Sequence, residues 1–209
     1  MERSDSGCPL AVTRNGNLRE GRNGRNVESH RILVTGDTGL IGRHVVDYFS
    51  RAGSECIGLR TAAPHLDLLE PDSVHSMLRL FNPAVVIHAA WNASGTTDYR
   101  HARDQFSWSS TTSRLIQSCV ERNINVYILG SVAEIDNSDS TFYGQARQEL
   151  WDREKTRVHA GEITWFRIHY VLAPADDRPE LIRLLRSAKA KGANAVNLQR
   201  PTERHDFIH

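Results

Sequence analysis

Arg31-Ile32-Leu33-Val34-Thr35-Gly36-Asp37-Thr38-Gly39-Leu40-Ile41-Gly42 is the stretch on which the fold turns. Ile32 to Thr35 is a short apolar run that stops at glycine, as a buried parallel strand does. From Leu40 to Ala52, the residues Leu40, Ile41, Val45, Val46, Tyr48 and Phe49 make one broad apolar face, and Gly53 follows. That pattern predicts a helix with a glycine stop. Three glycines lie between strand and helix. Gly36 suits the tight turn after the strand, Gly39 lets the backbone approach a pyrophosphate, and Gly42 lets the helix pack closely on the sheet. The helix start adds unpaired N–H groups and a positive dipole end. The unit predicts a Rossmann-type domain holding the pyrophosphate of an NAD(P) cofactor, with Gly36, Thr38, Gly39, Leu40, Ile41 and Gly42 around it.

The same alternation continues downstream. Cys56 to Leu59 reads as a second strand. Pro71 opens a helix carrying Val74, Met77, Leu78 and Phe81, and Asn82-Pro83 ends it. Ala84 to Ala90 is a third strand. A long helix spans about 103–122, with Leu115, Ile116, Cys119 and Val120 inward. Val126 to Gly130 is a strand, about 143–159 a helix, and Ile163 to Val171 a strand. Pro179 opens a helix carrying Leu181, Ile182, Leu184, Leu185 and Ala188, and Asp206-Phe207-Ile208 begins a further element. The fold class is α/β: a doubly wound, mainly parallel sheet covered on both faces. Residues 30–175 form the Rossmann domain, and 176–209 begin an incomplete substrate-binding portion. Residues 1–29 are rich in Arg, Asn, Gly and Ser without periodicity, and read as a disordered, passive leader.

Composition excludes several classes. The 209 residues carry 26 Lys plus Arg against 25 Asp plus Glu, with no basic stripe, so no nucleic-acid partner is expected. No stretch reaches the roughly 20 apolar residues that cross a bilayer, and the N-terminus lacks a signal-peptide core. No membrane partner follows. Cys8, Cys56 and Cys119 are far apart, with no disulfide or zinc spacing, and Cys56 and Cys119 sit in apolar surroundings as small core residues. This usage fits a reducing, cytoplasmic location. His88, His101, His169 and His205 show no metal-ligand spacing and read as core or rim histidines, so no metal is expected.

Thr35-Gly36-x-x-Gly39-x-x-Gly42 resembles the signature of short-chain dehydrogenases/reductases, in particular the extended branch of NAD-dependent epimerase/dehydratase type that includes nucleotide-sugar epimerases and reductases. Further resemblance lies in Leu66-Asp67-Leu68, His88-Ala89-Ala90-Trp91, Gly130 to Glu134, Tyr143-Gly144-Gln145-Ala146, Arg167, Pro174 and Asp206 to His209. It implies that residues placed like Asp67, Leu68, Ala89 and Ala90 line the cofactor, together with Tyr143, Arg147 and the strand-end pair Ile168 and His169. Asp67 has an alternative role as a cap for the helix near Pro71. Arg60 follows the second strand where no acid stands, which favours NADP over NAD. Ala133-Glu134-Ile135-Asp136 is similar to a subgroup carrying Ala-Glu-Tyr-Asp. In relatives the helices near 103–122 and 143–159 form a homodimer interface.

The resemblance also implies a reaction centre. The family uses a Tyr-x-x-x-Lys pair and a strand-end hydroxyl, and Tyr143 and Ser131 match two of the three. The third is Arg147. Hydride transfer at a sugar carbon requires a proton to move at the attached oxygen. A phenol of ordinary pKa about 10 needs a nearby cation to act as base near neutrality. Guanidinium keeps the charge but never releases a proton. Gln105 stands where Asn is common, Leu172-Ala173-Pro174 where Tyr-Gly-Pro is, and His205 where Arg precedes Asp-Phe. The sequence thus points to a nucleotide-sugar reductase or epimerase with Tyr143 as general acid/base, or alternatively to a non-catalytic NAD(P)-binding module. Extended members continue past a segment like Asp206 to His209. The sequence therefore reads as C-terminally truncated, with apolar surface exposed around Leu181 to Leu185 and self-association or lower stability as the result.

Overall fold

The computed structural model describes residues 31–93, 98–136, 138–171, 187, 189–192 and 207–208. Five strands, β1 (Ile32–Thr35), β2 (Cys56–Gly58), β3 (Val85–His88), β4 (Asn125–Ser131) and β5 (Thr164–Ile168), form one sheet in the order β2-β1-β3-β4-β5. Every pairing in it is parallel. The helices are α1 (Gly42–Arg51), α2 (Leu59–Ala62), α3 (Ser73–Phe81), α4 (Asp104–Glu121) and α5 (Phe142–His159). The order in which strands are added reverses between β1 and β3, which opens a crevice at their carboxyl ends.

Alternation along each strand fills two cores. Ile32 and Val34 on β1 and Ile87 on β3 face Val45, Val46 and Phe49 of α1. Leu33, Val86, Val126 and Ile128 point the other way, onto Val74, Met77 and Leu78 of α3 and Leu115, Ile116 and Cys119 of α4. Each fully buried Leu or Met there contributes about 1.5–3 kcal/mol. The strands that read as near-continuous apolar runs are therefore those covered on both faces. Cys119 is buried and Cys56 half-buried, both as free thiols.

Several boundaries depart from the sequence expectation. α1 starts at Gly42, because Leu40 and Ile41 remain in the glycine turn. β2 ends at Gly58, since Leu59 already belongs to α2, a turn that the sequence pattern did not reveal. Asp67 caps no helix: its carboxylate accepts from Leu69 N–H at 3.0 Å in a local turn, and α3 begins only at Ser73. The strand expected over 163–171 is two: β5 stops at Ile168, and β6 (Tyr170–Val171) pairs in parallel with β7 (Phe207–Ile208) as a separate sheet. The leader, Leu172 to Pro174, the helix opened by Pro179 and His205 lie outside the described residues.

A buried polar chain ties the two halves together. Ala90 N–H donates to Thr35 Oγ1 at 3.3 Å, and Thr35 Oγ1 lies 2.7 Å from His88 Nδ1. His88 Nε2 in turn lies 2.9 Å from Thr112 Oγ1 on α4. Burial, aided by the positive Arg147, pushes the His88 pKa down from 6.5 to about 3. Folding thus holds His88 neutral, and its contribution is complete above about pH 6.5 and is lost as pH falls toward 3. Burial of Glu134 works in the opposite sense, because its raised pKa favours the folded state at low pH. We expect the wild-type melting temperature to fall steadily between pH 7 and pH 4, by an amount on the order of a few kcal/mol in stability. A folded His88→Gln variant should show a flatter slope in the same thermal scans, and an unchanged slope would assign the acid sensitivity elsewhere.

Candidate active site

Two glycines of the loop are packed too tightly to carry a side chain. Gly36 has φ +71°, and a Cβ there would lie 2.6 Å from Ala90 N and 2.8 Å from Ala89 O. At Gly42 it would lie 2.2 Å from Gly36 O. Gly39 N–H closes the turn onto Gly36 O at 2.9 Å. β1, the start of α1 and the Ala89-Ala90 segment after β3 therefore meet backbone to backbone, while Thr38 and Gly39 stay exposed at the crevice mouth. The close approaches at Gly36 and Gly42 are to the protein's own backbone, whereas exposed Gly39 meets only Gly36 O at 3.0 Å and leaves a face free for the pyrophosphate of a dinucleotide, which this turn fits. Of the other expected cofactor residues, Leu68 is buried in the core and Asp67 is exposed. The Arg60 guanidinium donates to Pro64 O at 3.0 Å from an exposed position.

Ser131 lies at the carboxyl end of β4, and Tyr143 and Arg147 lie on α5, which Arg147 ties to that strand. Ser131 is its last residue and pairs in register with Ile168 of β5. The Ser131 hydroxyl oxygen accepts from Ala133 N–H at 3.2 Å, and Ser131 N–H donates to Glu134 Oε1 at 2.5 Å. This reciprocal cap fixes where the serine points. Thr141 caps α5 through Gly144 N–H at 3.1 Å, so α5 presents Tyr143 and Arg147 one turn apart on its buried face. Arg147 Nη1 reaches Leu129 O at 3.4 Å, two residues before Ser131.

Aromatic rings enclose this pair. The Arg147 guanidinium lies 3.6 Å from the Trp91 ring centroid and 5.4 Å from that of Tyr143. Trp91 and Tyr99 meet Tyr143 edge-on at 6.5 and 5.4 Å. The second guanidinium, of Arg100, lies 5.7 Å from the Tyr143 ring and pairs with Asp139 at 3.1 Å. Gln105, fully buried, holds Trp91, Asn92 and Tyr99: its Oε1 accepts from Trp91 Nε1 at 2.6 Å, and its Nε2 donates to Asn92 O and Tyr99 O, both at 2.9 Å. Among the described residues Arg147 Nε has no hydrogen-bond partner although it is buried.

Sequence reading named Ser131, Tyr143 and Arg147; Arg147 lies beside the Tyr143 ring and reaches β4 at Leu129, two residues before Ser131. That reading gave no role to Trp91, Tyr99, Arg100 or Glu134, and met Gln105 only as a departure. For Glu134 a signal existed: Ser131-Val132-Ala133-Glu134 has capping-box spacing. The aromatic clamp carried none, since its members come from three segments.

Residues 32–157 match the family described as "NAD dependent epimerase/dehydratase family", and the chain belongs to it. Over 70 residues it is 37% identical to methionine adenosyltransferase 2 subunit beta of Rattus norvegicus and of Mus musculus, a match covering 31% of this chain and 21% of each relative. The chain thus spans about a fifth of the length of these curated relatives. A UDP-glucose 4-epimerase from Thermotoga maritima superposes with TM-score 0.65 at 17% identity, covering 85% of this chain and 69% of that one. A GDP-L-fucose synthetase from Naegleria fowleri bound to NADP gives 0.60 at 19%, covering 86% and 68%. At these identities the superpositions establish the fold.

Glu134 anchors the site's floor. It is buried, and accepts from Ser131 N–H, from Trp165 Nε1 at 3.0 Å and from Arg167 Nε at 3.2 Å. Burial raises its pKa against these donors and the positive Arg147. Glu134→Ala leaves buried donors unpaired and should lower stability by about 3–5 kcal/mol in denaturant titration. Glu134→Gln keeps one acceptor and should lose less. Equal stability of Glu134→Ala and wild type would remove Glu134 from this role.

Proposed function

We propose that the chain is the cofactor-binding part of an NAD(P)-dependent oxidoreductase or epimerase that acts on a nucleotide-linked sugar. The observation that carries this reading is the pairing of Tyr143 and Arg147 on the buried face of α5, with Arg147 reaching Leu129 O two residues before Ser131, beside a crevice where Gly36 and Gly42 leave no room for a Cβ. Gly36, Thr38, Gly39, Leu40, Ile41 and Gly42 would hold the pyrophosphate, with Ala89, Ala90, Ile168 and His169 toward the nicotinamide. The cofactor would supply or accept the hydride at a sugar carbon.

The chain's own residues handle the proton and the charge. Tyr143 gives a proton to, or takes one from, the oxygen on the reacting carbon. Ser131 donates to that oxygen, its proton being left free while one of its lone pairs accepts from Ala133 N–H. Arg147 is held flat on Trp91, and with Arg100 it places fixed positive charge around the Tyr143 ring, which stabilises negative charge as it develops. Arg147 passes no proton on; it positions and polarises.

Hydride transfer with a panel of 4-keto nucleotide sugars tests the reading. Tyr143→Phe should lower kcat by about 10²–10⁴ with far less effect on cofactor affinity. Absence of turnover across the panel by the full-length protein, with cofactor demonstrably bound, would overturn it. A second reading, a non-catalytic NAD(P)-binding module, is favoured by Arg147 in place of lysine and by relatives named as a subunit. A large gain in activity on Arg147→Lys would mark a decayed enzyme, whereas unchanged activity would show that arginine serves. For assembly we propose a homodimer through the outer faces of α4 and α5, and a monomer in sedimentation at high concentration would exclude it.

A further inference from the structure

We propose that Asp37 makes the site select NAD over NADP, a reading that rests on the glycine loop taking a dinucleotide. Rossmann folds distinguish the two cofactors at the end of the second strand, where an acid accepts from the 2′-hydroxyl or an arginine binds the 2′-phosphate. Here that strand runs out at Gly58 with no acid beyond it, and Arg60 alone points to NADP. In space, the acid arrives from the glycine loop instead.

Asp37 Oδ1 accepts from Arg60 N–H at 2.8 Å, and Oδ2 accepts from Thr61 N–H at 3.0 Å and from the Thr61 hydroxyl at 2.6 Å. Gly58 makes room for it, since a Cβ at 58 would lie 2.4 Å from Asp37 Oδ2. The donors at the end of β2 therefore already serve a resident anion. A carboxylate offers about four acceptor positions, and three are filled. The fourth suits a hydroxyl, which brings a proton, and not a phosphate, which brings about two negative charges. Asp37 is buried, so its field acts with little screening, whereas Arg60 is exposed, where water and salt weaken its charge.

Calorimetric titration of the full chain with NADH and NADPH, and with 5′-AMP and 2′,5′-ADP as fragments, tests this. NADH should bind about tenfold or more tighter than NADPH, and 5′-AMP tighter than 2′,5′-ADP. Asp37→Asn should narrow the NADH-to-NADPH ratio by about tenfold, while Arg60→Ala should leave it within about threefold. Equal or tighter binding of NADPH by the wild type, an unchanged ratio in folded Asp37→Asn, or a loss of NADPH binding confined to Arg60→Ala would each overturn the proposal. Should Asp37→Asn fail to fold, the wild-type ratios and Arg60→Ala decide. Binding of neither cofactor overturns the dinucleotide reading itself, and the proposal with it.

Discussion

The backbone contact of Gly36 with Ala89 and Ala90 sets the geometry of everything around it. At φ +71°, with 2.6 Å from a notional Cβ to Ala90 N, any side chain at 36 would force β1 and β3 apart at their carboxyl ends. Their closeness lets Thr35 reach both Ala90 N–H and His88, and lets His88 reach Thr112 on α4. The same closeness fixes the exit of the chain into Trp91. A missing methyl group at one position thus places the phosphate loop, the polar chain below it and the first ring of the aromatic clamp.

From Trp91 the constraint passes to charge. Arg147 is buried in an interior that also contains Glu134 and His88, with Arg167 half-buried alongside. A buried guanidinium needs compensation. It receives the face of Trp91, one carbonyl and the field of Glu134, while His88 responds by staying neutral. Arginine is better suited than lysine to that flat, stacked seat. The exchange of lysine for arginine at 147 and the presence of a tryptophan at 91 are therefore one structural feature, and Gln105, which fixes the indole, belongs to it as well.

The fold was legible because its signals are local and redundant. Apolar strand runs, a glycine stop at 53 and Asn82-Pro83 each mark a boundary without help from distant residues, and five parallel strands follow from the alternation. The misread boundaries are those decided by contacts across the chain. β2 gives way to α2 because Asp37, more than twenty residues upstream, caps the backbone of Arg60 and Thr61. β5 ends at Ile168 because the next residues pair with a segment near position 207. In the site, Ser131, Tyr143 and Arg147 could be found from spacing on single elements. Tyr99 and Arg100 could not, since they come from a loop with no period and meet Tyr143 only when Gln105 draws that loop onto α4.

Asp37 shows most clearly where reading by position fails. Cofactor preference is inferred from the residue that ends the second strand, because in most such folds only that residue's side chain reaches the ribose. The inference assumes that the neighbouring loop brings no charge of its own. Here Gly58 removes the side chain that would keep Asp37 out, so the loop's carboxylate sits at the strand end and binds the backbone of Arg60, the residue that position alone would credit with the choice. A glycine in β2 and an acid in the phosphate loop are each unremarkable in sequence. Together they set a buried carboxylate against the exposed charge of Arg60, and the pair carries the specificity argument that neither residue carries alone.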